Sequence, residues 1–139
     1  MIEFLQPDDF HHHLRDGQCL RDVVQFAAKS FDRIVVMPNL KPPVRSVTEA
    51  REYYDRIMAC VNDNESTSDV TTIKGRNFKP LMTLYLTDAT TSEDIISAKN
   101  SGLIYAYKLY PAGATTNSEY GVTSLDHILG TLQVDIIPL

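Results

Sequence analysis

Three consecutive histidines followed by an arginine, His11-His12-His13 and Arg15, and a lysine inside an apolar and aromatic run, Lys108, are the residues of this chain best suited to chemistry. In an extended segment residues i and i+2 share one face and i+1 takes the other. His11 and His13 then offer two imidazoles to one metal ion, and His12 faces the opposite, helix-covered side. The competing reading is a chance run or a tag remnant. Tags are usually longer and terminal, whereas this run is embedded between Pro7-Asp8-Asp9-Phe10 and Leu14-Arg15-Asp16-Gly17. A His-x-His pair is incomplete by itself, because metal sites need further ligands from elsewhere. If the strand persists, Arg15 shares the face of His13 and can form a bidentate contact to a carboxylate beside the metal. A surface arginine fits the local sequence equally well.

Lys108 lies in Ile104-Tyr105-Ala106-Tyr107-Lys108-Leu109-Tyr110, where an ammonium group is costly to bury unless neutralised or paired. A desolvated lysine can lose its proton and react as an amine. With CO2 it forms a carbamate, whose two oxygens can bridge two metal ions. The other reading, a lysine at a strand end reaching to solvent, is the one local sequence alone favours. Asn39 closes Val35-Val36-Met37-Pro38-Asn39 at a strand's carboxyl end, where parallel α/β folds place their sites. It either donates to a substrate oxygen or simply forms a turn before Leu40-Lys41-Pro42-Pro43. Thr115 and Thr116 sit in the small-residue loop Ala112-Gly113-Ala114-Thr115-Thr116-Asn117, read either as a lid with two hydroxyl donors or as an ordinary polar loop. His127, following Asp126, is expected on a helix surface.

The elements that must position these residues alternate strand and helix. A first strand ends at about Phe10 to Leu14, and a helix runs from about Leu20 to Ser30 with Val23, Val24, Phe26 and Ala27 at helical spacing. Arg33 to Met37 reads as a buried parallel strand stopped by prolines. Thr48 to about Val61 is a helix capped by Ser46 or Thr48. Asn62 to Arg76 is a polar excursion, Pro80 to Leu86 a strand, and Ser92 to Lys99 a helix closed by Gly102. Ile104 to Tyr110 is a fourth strand, Pro111 to Asn117 a loop, Thr123 to Leu132 a helix, and a fifth strand begins at Asp135. This order implies right-handed βαβ crossovers and a parallel sheet, either doubly wound or closed into a barrel.

Length and composition bound the class. The 139 residues are 43% hydrophobic and 22% charged, ordinary globular usage with enough apolar content for a packed core. The length is well below the roughly 250 residues of a complete (β/α)8 barrel. Thirteen basic against 18 acidic residues give a net charge of -5 with no basic face, which disfavours nucleic acid as a partner. Cys19 and Cys60 lie far apart without CxxC spacing, so neither a disulfide framework nor a thiolate zinc site is indicated. No signal-like start or membrane-length apolar run is present, and the expected compartment is the cytoplasm.

Taken together, PDDFHHHLRDG, VVMPNLKPP and YKLYPAGATTNSEYGVTS closely resemble, in order and approximate spacing, three successive motifs of the shorter, monofunctional dihydroorotases. The resemblance runs over essentially the whole chain. It implies a TIM barrel of the amidohydrolase superfamily with two Zn2+ ions at the carboxyl ends of the strands, of which residues 1–139 are roughly the first half of one domain. By this resemblance His11 and His13 bind the more buried zinc, and Lys108 is the carbamylated catalytic lysine bridging both metals. Arg15 and Asn39 hold the substrate carboxylate, and Thr115 and Thr116 belong to the loop that closes over the ring. The implied reaction is the reversible cyclisation of N-carbamoyl-L-aspartate to dihydroorotate in pyrimidine biosynthesis, in a family where homodimers are common. Two further histidine ligands and an aspartate base follow the lysine in that family. Here only His127 follows it. The 139 residues alone are therefore expected to be inactive. An inert barrel fragment, or a hydrolase of another cyclic imide, are the alternatives, and Arg15 and Asn39 argue against the latter.

Overall fold

The computed structural model describes residues 5–63 and 78–133. It contains, in order, β1 (Asp9–His12), α1 (Gly17–Ser30), β2 (Arg33–Val36), α2 (Val47–Asp63), β3 (Lys79–Leu86), α3 (Ser92–Asn100), β4 (Ile104–Leu109), a 3₁₀ turn (Leu125–His127) and α4 (Leu129–Leu132). The strands follow chain order β1-β2-β3-β4 in one sheet. The helix between each strand and the next makes this the α/β alternation that the apolar pattern predicts. Most of the polar excursion expected at Asn62 to Arg76, and the strand expected from Asp135, lie outside the described residues. The chain divides into two compact units, residues 1–37 with 52–81, and residues 38–51 with 82–139.

In the first unit β1 pairs with β2 in parallel, Asp9 opposite Ile34 and His12 opposite Val36, with an irregularity between them. The carboxylate of Asp8 ties the start of β1 to β2, accepting from the Arg33 backbone at 3.2 Å and from its guanidinium. That guanidinium holds the Asp8 carboxyl below its ordinary value. Helix α1 opens on Asp16, whose side chain accepts from the Gly17 amide, and buries Leu20, Val24, Ala27 and Ala28. Phe26, expected on this stripe, is instead 72% exposed, because its position falls on the far side of the Leu20, Val24 and Ala27 row. From α2, Tyr53, Ile57 and Val61 are buried at four-residue spacing. The two helices are also joined by polar contacts. Gln25 donates to the Cys60 carbonyl at 2.7 Å, and Arg56 forms a forked pair with Asp16 at 3.1 and 2.8 Å.

In the second unit α2 begins with a reciprocal cap. Ser46 Oγ accepts from the Glu49 amide while the Glu49 carboxylate accepts from the Ser46 amide. Residues Met82 to Leu86 pair in parallel with β4, from Met82 opposite Ile104 to Leu86 opposite Leu109. Helix α3 carries a full capping box between Thr91 and Asp94, buries Ile95 and Ala98, and is followed by Gly102 at φ +64°. Leu86, Val122 and Ile128 form a core cluster, with Tyr107 against it. The continuous helix expected over Thr123 to Leu132 is broken. Asp88 accepts from both the backbone and the hydroxyl of Thr123, and Ser124 caps the 3₁₀ turn. These polar groups take the chain away from helical pairing, and Gly130 adds little helical preference to the rest.

Candidate functional site

The predicted residues stand at or just after strand ends, where β/α folds gather chemistry. His11, His13 and Arg15 belong to the first unit, and Asn39, Lys108, Thr115 and Thr116 to the second.

At the end of β1 one carboxylate sorts the histidines. Asp9 accepts from the His11 backbone amide at 2.8 Å with Oδ1 and pairs with His12 Nδ1 at 2.7 Å through Oδ2. His12 is thereby held half-buried, edge-on to Phe31 with centroids 5.8 Å apart. His11 and His13 are exposed, their rings 5.2 Å apart and tilted by 45°. Two imidazoles on one tetrahedral ion, with metal–nitrogen bonds of about 2.0–2.1 Å, bring their ring centres to about 5 Å, so the pair fits two positions of a zinc site. Among the described residues there is no group of three or more His, Cys, Asp and Glu side chains that could hold a metal ion. The hydrogen bond from His12, and next that from the His11 amide, keep the Asp9 carboxyl below its ordinary value, so it stays an acceptor. The sequence alone assigned Asp8 and Asp9 no role beyond flanking the histidine run. Their position directly before a histidine run is the signal that finds them.

The strand ends at His12, before Arg15. Arg15 therefore does not inherit the strand's alternation. It sits at φ +62°, an uncommon conformation for a residue with a side chain, and its carbonyl accepts a 2.5 Å hydrogen bond from the Tyr53 hydroxyl. Tyr53 is fully buried, and burial, with the nearby Asp16 charge second, raises its pKa. The direction of Arg15 is a product of this local turn, and Tyr53 was not legible as its support.

Lys108 is half-buried near the end of β4, with Nζ 5.8 Å from the centre of the Tyr110 ring. The strand around it is also less buried than its apolar composition implied, since Tyr105, Ala106 and Leu109 are exposed. Lys108 is therefore only partly withdrawn from solvent in this strand.

Asn39 is buried, 3% exposed, and its Nδ2 donates to the Thr116 carbonyl at 2.9 Å. Thr115 and Thr116 are exposed in a loop with many internal bonds. Ser118 Oγ accepts from the Thr115 amide at 2.8 Å and donates to its carbonyl at 2.7 Å, while Gly113 donates to the Ser118 carbonyl at 3.0 Å. The base is closed by Val122 donating to Tyr110 and Ala112 donating to Val122, at 2.8 and 3.0 Å. Gly121 is required there, because a Cβ would lie 2.2 Å from the Tyr110 carbonyl oxygen. His127 is exposed as expected, within the 3₁₀ turn, 3.3 Å from Asp88.

Comparison with known proteins gives one consistent result. A dihydroorotase of Pseudomonas putida is 51% identical over 95% of the chain, and one of Picosynechococcus is 48% identical over 99%. The chain spans about a third of their length, 35% and 38%. A crystal structure of the Campylobacter jejuni dihydroorotase matches 91% of the chain and 36% of its own length, with a TM-score of 0.70 and 34% identity. The Saccharomyces cerevisiae dihydroorotase in complex with 5-fluoroorotic acid matches 84% of the chain with a TM-score of 0.66 and 30% identity. No family model matches the chain.

Proposed function

We propose that this chain, related over nearly its whole length to the dihydroorotases, is part of a zinc-dependent dihydroorotase that interconverts N-carbamoyl-L-aspartate and dihydroorotate in pyrimidine biosynthesis. The observation that carries the reading is the 51% identity across 95% of the chain, which takes in all three chemistry-bearing segments. The α/β fold and the agreement with solved dihydroorotases support it. No helix among the described residues is long and apolar enough to cross a membrane. We assign the protein a cytoplasmic site and a small-molecule substrate.

In this reading His11 and His13 would hold zinc, and Lys108, as its carbamate, would be a further ligand. When bound, the metal lowers the pKa of a water and polarises an amide carbonyl. The chain's own residues orient and select. Asp9 holds His12 aside so that the flanking imidazoles converge. Arg15 and Asn39 hold the substrate carboxylate, and Thr115 and Thr116 donate to the ring from the loop. An unpaired guanidinium discriminates against neutral cyclic imides, because a partnerless charge is penalised.

The test is a chimera in which this chain replaces the matching segment of the Pseudomonas putida enzyme. Dihydroorotate hydrolysis with bound zinc is expected. A folded chimera that binds zinc but lacks turnover refutes the reading. In the active chimera, Arg15→Met should lower kcat/KM by roughly 100-fold, the scale of losing one partner of a hydrogen-bonded charge pair. Zinc content should be unchanged, and its loss would assign Arg15 a different role.

A further inference from the structure

We infer that Asn117 is a positioning residue, which sets the place of the Thr115 and Thr116 hydroxyls by donating to the Asn39 carbonyl while Asn39 donates to the neighbouring Thr116 carbonyl. The inference rests on the proposed substrate role of that loop but stands on geometry of its own. Asn117 Nδ2 donates to the Asn39 backbone carbonyl at 2.9 Å, and Asn39 Nδ2 donates to the Thr116 carbonyl at 2.9 Å. The carbonyl of Asn117 in turn accepts from the Tyr85 hydroxyl at 3.1 Å. Two successive residues of the loop are therefore bonded at three points to the segment after β2 and to β3.

Those points are themselves fixed. Asn39 is buried, the Tyr85 amide donates to the Val44 carbonyl at 2.7 Å, and the Tyr85 ring stacks on Tyr110 with centroids 4.9 Å apart. Asn117 has φ +56°, the left-handed region that Asn tolerates better than most side chains. That turn directs its amide at Asn39 and leaves Ser118 to clamp Thr115. The surface ion pair of Lys41 and Glu119, 3.7 Å apart and well exposed, adds little to this arrangement. A side-chain amide nitrogen carries two N–H donors. The bond to Thr116 uses one, so Asn39 can engage a substrate carboxylate with the second and couple substrate to loop.

Two substitutions separate the amide from the backbone conformation. Asn117→Gly accepts the positive φ and lacks the amide, whereas Asn117→Asp keeps size and acceptor and loses the donor. Hydrogen exchange of the purified 139-residue chain should show Thr115 and Gly113 amide protection falling about tenfold in both, the effect of one net hydrogen bond, with β4 amides unchanged. Wild-type protection in both variants overturns the inference. In the active chimera, Asn117→Gly should raise KM about tenfold with a smaller change in kcat. Faster exchange with unchanged KM would retain the positioning role and refute the substrate role of Thr115 and Thr116, so the two ideas fail separately.

Discussion

Removing one oxygen from the protein, by Tyr53→Phe, tests how the arginine turn is held. The hydroxyl is fully buried and is bonded to the carbonyl of a residue at φ +62°. A non-glycine residue in that region costs about 1–3 kcal/mol, which its surroundings must offset. Phenylalanine fills the same volume, so no cavity term enters. The loss is one net hydrogen bond plus part of the penalty for an unsatisfied carbonyl, together about 1–2 kcal/mol. With a urea slope of about 2 kcal/mol/M, the unfolding midpoint should fall by roughly 0.5–1 M at neutral pH, with the slope itself unchanged. The pH dependence gives a second, independent readout. Burial raises the Tyr53 pKa in the folded state, so above the unfolded value of about 10 the unfolded chain releases this proton first. The stability associated with it is complete below that pH and declines above it by about 1.4 kcal/mol per pH unit. Tyr107, pushed up to about 12 chiefly by burial, acts in the same sense but is common to both proteins. The difference in slope between wild type and Tyr53→Phe over pH 10–11.5 therefore isolates Tyr53. An unchanged midpoint together with equal alkaline slopes would refute the account of Tyr53 as the support of Arg15.

Further outcomes follow from the same contacts. Lys108→Ala in the active chimera should abolish hydrolysis and lower zinc content below two per chain, as measured by atomic emission on dialysed protein; full occupancy would rule out a lysine carbamate as the shared ligand. Thr123→Val should raise the Asp88 carboxyl toward its ordinary value, since the Thr123 hydroxyl is the largest cause of its lowering and the backbone N–H the next. That interaction contributes stability above the unfolded carboxyl pKa, and the contribution is lost as pH falls through the folded value. An NMR titration of Asp88 that does not move would show the hydroxyl to be idle. His11→Ala should weaken zinc binding in the chimera by at least tenfold while His12→Ala leaves it within a few-fold, read by competition with a chelator; equal losses would contradict the sorting of the rings by Asp9.

Local sequence determined the repeating elements because the signals involved are short in range. Alternation around the histidines, the apolar run from Arg33, the Ser46 cap and the glycine after α3 each act within one turn or one strand. The strand and helix order of the described residues follows from them. His11 and His13 are exposed while His12 is partly buried and paired with Asp9, although β1 ends at His12 and Phe10, two residues before it, is exposed. The three chemistry-bearing segments were also legible, as a resemblance carried by their order and spacing.

Tertiary structure decided what depends on partners distant in the chain. Arg15 leaves the strand's alternation because its turn is held by Tyr53, 38 residues away. The helix expected after Gly121 breaks because Asp88, 35 residues upstream of Thr123, captures that residue's polar groups. Lys108 lies in an apolar run but is only half-buried, since composition states what a strand contains and not how much of it is covered. Asn39 and Asn117 stand 78 residues apart in sequence, yet the Asn117 side-chain amide donates to the Asn39 carbonyl. Periodicity is a property of neighbours in sequence. A hydrogen bond across 35 to 78 residues leaves no periodic trace, and it is such bonds that aim the side chains of this site.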